Sequence, residues 1–369
     1  MSPQTRLERV RSRMRDAGVD ALLLSLGADL PWLTGYEAMP LERLTMLVLP
    51  EGGEATLVVP RLEAPRVEER PGDFTLRPWG ETDDPVRIVA ELVGTRGERS
   101  LAISDRCWST FLLGLQAELP RATWRSSREL TGPLRAVKDA DEVDALRRAA
   151  QAADRVAAQL LGGEIPLLGR TEAEVSADLG RRLRAEGHDR INFAIVGSGP
   201  NAASPHHEPG PRRIGPGEAV VCDFGGTLDG YCSDITRTVL TGGRSDPPAE
   251  FRELYDVLQQ AQQQAVDAAT VGRPCESVDA AARTPITEAG FGEHFIHRTG
   301  HGIGLEEHED PYLVAGNATP LESGHAFSVE PGIYLAGRFG ARIEDIVVAT
   351  VDGPEALNTT DHALHVVEA

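Results

Sequence analysis

The stretch Val220-Val221-Cys222-Asp223-Phe224-Gly225-Gly226-Thr227-Leu228-Asp229-Gly230-Tyr231-Cys232-Ser233-Asp234-Ile235-Thr236-Arg237-Thr238 decides how the second half of this chain folds. It reads as two β-strands joined by a tight turn within residues 228–230. A turn centred on Leu228-Asp229 sets Asp223 directly opposite Asp234. A turn centred on Asp229-Gly230 sets Asp223 opposite Thr236 and leaves Asp234 on the diagonal. Side chains alternate along a strand, so both registers put the two carboxylates on one face, and only a one-residue slip separates them. A lone strand aspartate is usually an edge or surface residue. Two on one face, preceded by the apolar Val220-Val221-Cys222, point instead to a bound cation. Cys222 and Cys232 offer thiolates as the competing donors, but Cys222, adjacent to Asp223, faces the opposite side of the strand.

Further along, His297-Arg298-Thr299-Gly300-His301-Gly302-Ile303-Gly304-Leu305-Glu306-Glu307-His308 gathers three of the ten histidines. Its glycines follow a GxGxG spacing with no strand-to-helix context, which argues against a dinucleotide site and for close approach of backbone to a ligand. Glu330 in Ser-Val-Glu-Pro-Gly-Ile-Tyr and Glu344 in Arg-Ile-Glu-Asp each follow an apolar residue, where an unpaired carboxylate is strongly disfavoured. Four carboxylates and an imidazole make an oxygen-rich donor set that suits hard or borderline divalent ions, Mn²⁺ first and Co²⁺ or Zn²⁺ next.

The chain has 369 residues, of which 41% are hydrophobic, enough for two domains with buried cores. Its 37 basic against 57 acidic residues give a net charge of −20, which argues against a nucleic-acid partner. The apolar runs are too short for a membrane span, and the amphipathic N-terminus lacks the apolar segment of a secretory signal. Four cysteines without a CxxC pair do not form a disulfide framework, so a cytoplasmic enzyme is expected. Residues 1–132 alternate helix and strand patterns: helices before Gly18 and at 85–92 and 109–118, strands at 21–26, 45–49, 55–59 and 100–104. A boundary is expected around residues 131–138, where Gly132 and Pro133 interrupt the pattern. Beyond it, Asp139 with Glu142 and Thr171 with Glu174 form capping-box pairs that open helices ending at Gly162-Gly163 and Gly187. Strands are expected at 192–197, 218–225, 231–240 and 342–350, and helices at 249–270 and 277–290. The second half is therefore α+β.

These motifs, in this order, resemble the pita-bread metallopeptidases, in particular the Xaa-Pro branch of prolidase and aminopeptidase P. The resemblance implies an α/β creatinase-like N-terminal domain (1–132) and an α+β pita-bread catalytic domain (137–369). It implies that Asp223, Asp234, His301, Glu330 and Glu344 hold two divalent metal ions, with Asp234 and Glu344 bridging. It makes His206 and His308 the substrate-side histidines that orient the scissile carbonyl, Glu330 the general base, His297 a further pocket residue and Arg342 an ion-pair partner of a ligand carboxylate. Phe193, Tyr231 and Tyr312 are candidates for the wall that recognises a proline ring. Tyr312 stands where some prolidases carry a basic residue, which leaves their way of binding the substrate carboxylate without a counterpart here. Arg43 is a candidate for that role, although an ion pair with Glu42 or Glu37 is its simpler use. The implied substrates are small peptides with proline in second position, cleaved by a prolidase-type dipeptidase; aminopeptidase P action on longer peptides and a non-catalytic peptide-binding module are the alternatives. Look-alikes are homodimers. Methionine aminopeptidase shares the ligand logic but not the large N-terminal domain, and creatinase-type hydrolases do not keep the metal set.

Overall fold

The structure is a computed structural model that describes residues 3–68, 70, 72–243 and 249–368. It comprises two compact units that divide between Arg135 and Ala136.

The first unit runs α1 (Pro3–Ala17), β1 (Ala21–Leu24), α2 (Asp29–Thr34), β2 (Met46–Pro50), β3 (Ala55–Pro60), β4 (Phe74–Trp79), α3 (Pro85–Val93), β5 (Arg99–Ile103), α4 (Ser109–Glu118), β6 (Ala122–Ser126) and α5 (Arg128–Ala136). Its sheet has the order β4-β3-β2-β1-β5-β6 and mixes parallel and antiparallel pairs. Buried Leu23, Met46, Val58, Leu101 and Leu115 anchor its core. The strands that sequence patterning passed over, β4 and β6, are the two edges, and both alternate with exposed polar positions. Pro78 is tolerated in β4 because an edge strand leaves one row of N–H groups unpaired.

Gly132 and Pro133, where the sequence pattern is interrupted, lie inside α5. Proline removes the N–H that would bond the carbonyl of Glu129. That carbonyl accepts from Arg13 Nη2 at 3.4 Å instead.

The second unit opens with α6 (Ala140–Leu161) and α7 (Glu172–Ala185), and both capping boxes, Asp139 with Glu142 and Thr171 with Glu174, are formed. The remaining elements are β7 (Arg190–Ser198), β8 (Ala219–Leu228), β9 (Tyr231–Cys232), β10 (Ile235–Thr241), α8 (Ala249–Ala268), α9 (Cys275–Glu288), β11 (Gly300–Gly302), β12 (Glu309–Leu313), β13 (Ala326–Val329), β14 (Gly332–Leu335), β15 (Phe339–Arg342), β16 (Asp345–Thr350), β17 (Gly353–Ala356) and β18 (Val366–Val367). One sheet has the order β18-β10-β8-β7 with β9 paired to β8; another has β12-β11-β13-β16-β17; β14 and β15 form a two-stranded ribbon. Helices α6 and α7 cover the first sheet through Val156, Leu160, Val175 and Leu179 against Cys222, Phe224 and Val239. Helices α8 and α9 cover the second through Leu254, Leu258, Val278 and Ile286 against Phe327, Val329 and Val347.

Two local features position the site. The β8–β9 turn is centred on Asp229-Gly230, with φ of +50° and +83°, and the ladder pairs Asp223 with Thr236. Positive φ at both central residues is the turn whose twist matches a hairpin, which selects the second of the two registers left open above. The expected single strand 342–350 is two: Arg342 ends β15, Asp345 begins β16, and Glu344 lies at the crossing, bridged to Thr236. Buried Arg237 of β10 holds this corner. Its guanidinium donates to the carbonyls of Thr236 and Glu344 and pairs with Asp345 at 2.8 Å.

Candidate metal centre and substrate cleft

The five acidic and imidazole side chains singled out above line one cavity of about 510 Å³, together with His206, His297, His308 and Arg342. Asp223 comes from β8, Asp234 from the step between β9 and β10, and His301 from β11. Glu330 follows β13, and Glu344 sits at the sheet crossing. Asp234, His301 and Glu344 each offer one donor atom within 4.8 Å of the other two. His301 Nε2 is 3.3 Å from Glu330 Oε1 and 3.8 Å from Asp234 Oδ2.

Glycine lets β11 reach this position. A Cβ on Gly300 would lie 1.8 Å from the Ser328 carbonyl, and one on Gly302 would lie 2.1 Å from the Asp310 carbonyl. The strand is wedged between β12 and β13, with a bulge after His301.

The donor set fits divalent cations on three observations. Asp223 Oδ1 is buried without a hydrogen-bond partner, while its other oxygen accepts from Arg342 Nη2. His301 Nδ1 lies 3.2 Å from the Gly302 carbonyl, which can only accept, so Nδ1 carries the proton and the Nε2 lone pair faces the carboxylates. Burial, and then the charge of neighbouring His308, press His301 down to about 3, keeping the ring neutral. Finally, Asp234 and Glu344 are raised well above the usual carboxylate range by burial and then by neighbouring carboxylates, and Glu330 is pushed up to about 7, burial again leading. A lone pair and four carboxyls turned inward repel one another unless protons or cations lie between them. Cys222 and Cys232 stay outside this set: both are buried in apolar clusters, which lifts each thiol to about 12.

A hydrogen-bonded layer braces the centre. Arg342 donates from Nε to Thr236 Oγ1 (3.0 Å) and from Nη1 to Tyr334 Oη (2.9 Å). Thr236 donates to Glu344 Oε2 at 2.6 Å. His297 Nδ1 is 2.7 Å from the Arg298 carbonyl, so its Nε2, 2.9 Å from Tyr334 Oη, is the acceptor. Tyr334 therefore receives a bond from Arg342 and passes one to His297. Burial first, then Arg342, holds His297 down at about 4.

Of the aromatic residues expected in the substrate wall, Phe193 lines the cavity, with Ile195 and Pro205 beside it, and Tyr231 and Tyr312 do not. Tyr231 instead donates to Glu142 Oε1 at 2.9 Å and packs beside the Leu146 and Ile303 cluster. Tyr312 sits on β12 opposite His301, with the Arg298 guanidinium 4.4 Å above its ring. Arg43, in the first unit, pairs with Glu42 at 3.1 Å and Glu81 at 3.2 Å. His207, next to His206, is half-buried and lies 2.8 Å from the fully buried Glu172 carboxylate. Arg298, Glu307 and Tyr334 belong to the site or its bracing without having been singled out, although all three lie inside the quoted motifs.

Comparison with known proteins gives a consistent picture. Residues 144–351 match the model of metallopeptidase family M24, and residues 6–137 match the creatinase/prolidase N-terminal domain. The chain is 44% identical over 366 residues to a probable dipeptidase PepE of Mycobacterium tuberculosis, covering 98% of this chain and 96% of that protein. It is 34% identical over 367 residues to an Xaa-Pro dipeptidase of Lactobacillus delbrueckii subsp. lactis, covering 98% of each. Among solved structures, the recombinant prolidase of Thermococcus sibiricus superposes with a TM-score of 0.93 at 35% identity, covering 99% of both chains.

Proposed function

The chain belongs to metallopeptidase family M24, with a creatinase/prolidase N-terminal domain, and is a hydrolase; from that premise we propose that it cleaves the bond before proline in small Xaa-Pro peptides as a prolidase-type dipeptidase. One observation carries this reading: acids and an imidazole from separate chain segments converge on one cavity with an unpartnered carboxylate oxygen and an inward lone pair.

In this proposal Asp223, Asp234, His301, Glu330 and Glu344 would hold two divalent cations, Mn²⁺ first and Co²⁺ or Zn²⁺ next by donor type. Such ions, when bound, supply Lewis acidity and lower the pKa of a water. The protein's own groups do the rest. Glu330, on the same cavity wall, is the base that takes a proton from the attacking water and passes it to the leaving prolyl nitrogen. His308 is held below the usual imidazole range, burial leading, so its neutral ring can donate to the developing oxyanion. His206, on the same cavity wall, orients the scissile carbonyl. A prolyl nitrogen has no N–H to offer, so the ring must be recognised by shape, a task suited to Phe193, Ile195 and Pro205. Arg342 positions Asp223 and does not reach for substrate. The proposal places the catalytic domain at 137–369, in the cytoplasm, as a homodimer.

A panel of Xaa-Pro dipeptides and longer Xaa-Pro peptides, assayed with Mn²⁺, Co²⁺ and Zn²⁺ alongside metal analysis, tests the reading. About two metal ions per chain and Xaa-Pro cleavage are expected. Asp234→Ala is expected to lose both together. Folded protein with neither metal nor turnover would instead mark a peptide-binding module.

A further inference from the structure

Two guanidinium groups line the cavity, and only one is committed. Arg342 is tied to Asp223, Thr236 and Tyr334. Arg298 is half-buried, and among the described residues none forms an ion pair with it. Its planar face lies over Tyr312 at 4.4 Å. Stacking occupies the face of a guanidinium and leaves the N–H edge free for the two parallel bonds that a carboxylate accepts. It lines the same cavity as Asp223, His301, His308 and Glu330, which puts it beside the reacting centre. A partly desolvated cation with no anion of its own is unfavourable in the empty cleft and is stabilised when a substrate brings one.

We infer that Arg298, presented by Tyr312, binds the C-terminal carboxylate of the dipeptide and makes the site select dipeptides over longer or blocked peptides. This rests on the prolidase reading and deepens it. The carboxylate of an Xaa-Pro dipeptide is the one anion that lies beside the scissile bond, and extending or amidating the peptide removes it there. Tyr312 is a positioning residue, since it acts through Arg298. In the first unit Arg43 has its guanidinium engaged by Glu42 and Glu81, which favours Arg298 for the role.

The test compares Leu-Pro with Leu-Pro-amide on the Mn²⁺-loaded full chain, for the unmodified protein and for Arg298→Met, Arg298→Lys, Tyr312→Phe and Tyr312→Leu. The unmodified protein is expected to prefer the free acid, and Arg298→Met to cut that preference about ten- to a hundredfold, mostly through KM for the acid. Arg298→Lys keeps part of the preference, Tyr312→Phe keeps nearly all, and Tyr312→Leu loses an intermediate share. An unchanged acid-to-amide ratio in Arg298→Met, with Leu-Pro still cleaved, overturns the assignment and leaves the prolidase reading standing. A loss falling equally on acid and amide overturns it as well. Failure of the unmodified protein to cleave any Xaa-Pro substrate sinks the prolidase reading and this inference with it.

Discussion

In the proposed mechanism the chemistry turns on Glu330. It is the most accessible of the proposed ligands, with a side chain 15% exposed, and Ser328 Oγ donates to it at 3.2 Å. Glu330→Gln keeps the shape but removes both the negative charge and the proton acceptor. Turnover should fall at least about a hundredfold at pH 7.5, the scale of a lost general base, while the fold persists; steady-state kinetics and circular dichroism together decide it. Much at this scale was legible before the structure, because acids following apolar residues announce a need for compensation. What was not legible follows from that same logic: Arg298 and Tyr334 carry no such signal in sequence, and their roles arise only from the partners that folding brings to them, Tyr312 for one and Arg342 and His297 for the other.

At the scale of elements, the hairpin shows how a turn sets the chemistry. The Asp229-Gly230 pair fixes the register that places Asp234 diagonal to Asp223. Gly230→Ala forces a Cβ into the left-handed region and should cost about 1–2 kcal/mol of unfolding free energy. Asp229→Gly should change stability less, since its side chain makes only an exposed pair with Arg148. Denaturant titration of both variants measures the contrast, and equal losses would mean the turn does not govern register. The long helices were readable from their caps and apolar stripes. The short strands β11 and β13 to β15 were not, because three or four residues carry too little periodicity. The apparent strand 342–350 misled for a different reason: β-branched residues stand on both sides of the crossing, Ile343 before it and Ile346-Val347-Val348 after it, and the intervening Glu344-Asp345 does not by itself show that the hydrogen-bonding partner changes there.

For the whole molecule the buried acids make metal binding depend on pH with a definite sign. Asp234, Glu344 and Glu330 are all raised, so the metal-free protein retains protons there that cations must displace. Metal affinity should therefore rise with pH, and the slope should ease as Glu330 gives up its own proton near 7. The rise in Tm on adding Mn²⁺ should be larger at pH 8 than at pH 6, measured by scanning calorimetry with and without chelator. The buried histidines His188, His297 and His325 are depressed, so their contribution to stability is lost as pH falls below the usual imidazole value. That trend runs in the same direction with pH, but it is common to loaded and unloaded protein and cancels in the difference. A metal-induced shift that is flat with pH, or larger at pH 6, would contradict the protonated cluster.

The glycine-lined wedge of β11 bears on how such a protein comes to be loaded. His301 reaches the centre only after its strand has slotted between two others, and its companions come from positions as distant as Asp223 and Glu344. A donor set so scattered has no local precursor in the unfolded chain, and so cannot seed its own assembly as a compact zinc-binding hairpin does. On the proposed reading the polypeptide completes its architecture by apolar burial and then admits ions into a finished chamber, so stripping them is expected to abolish turnover while leaving the fold in place.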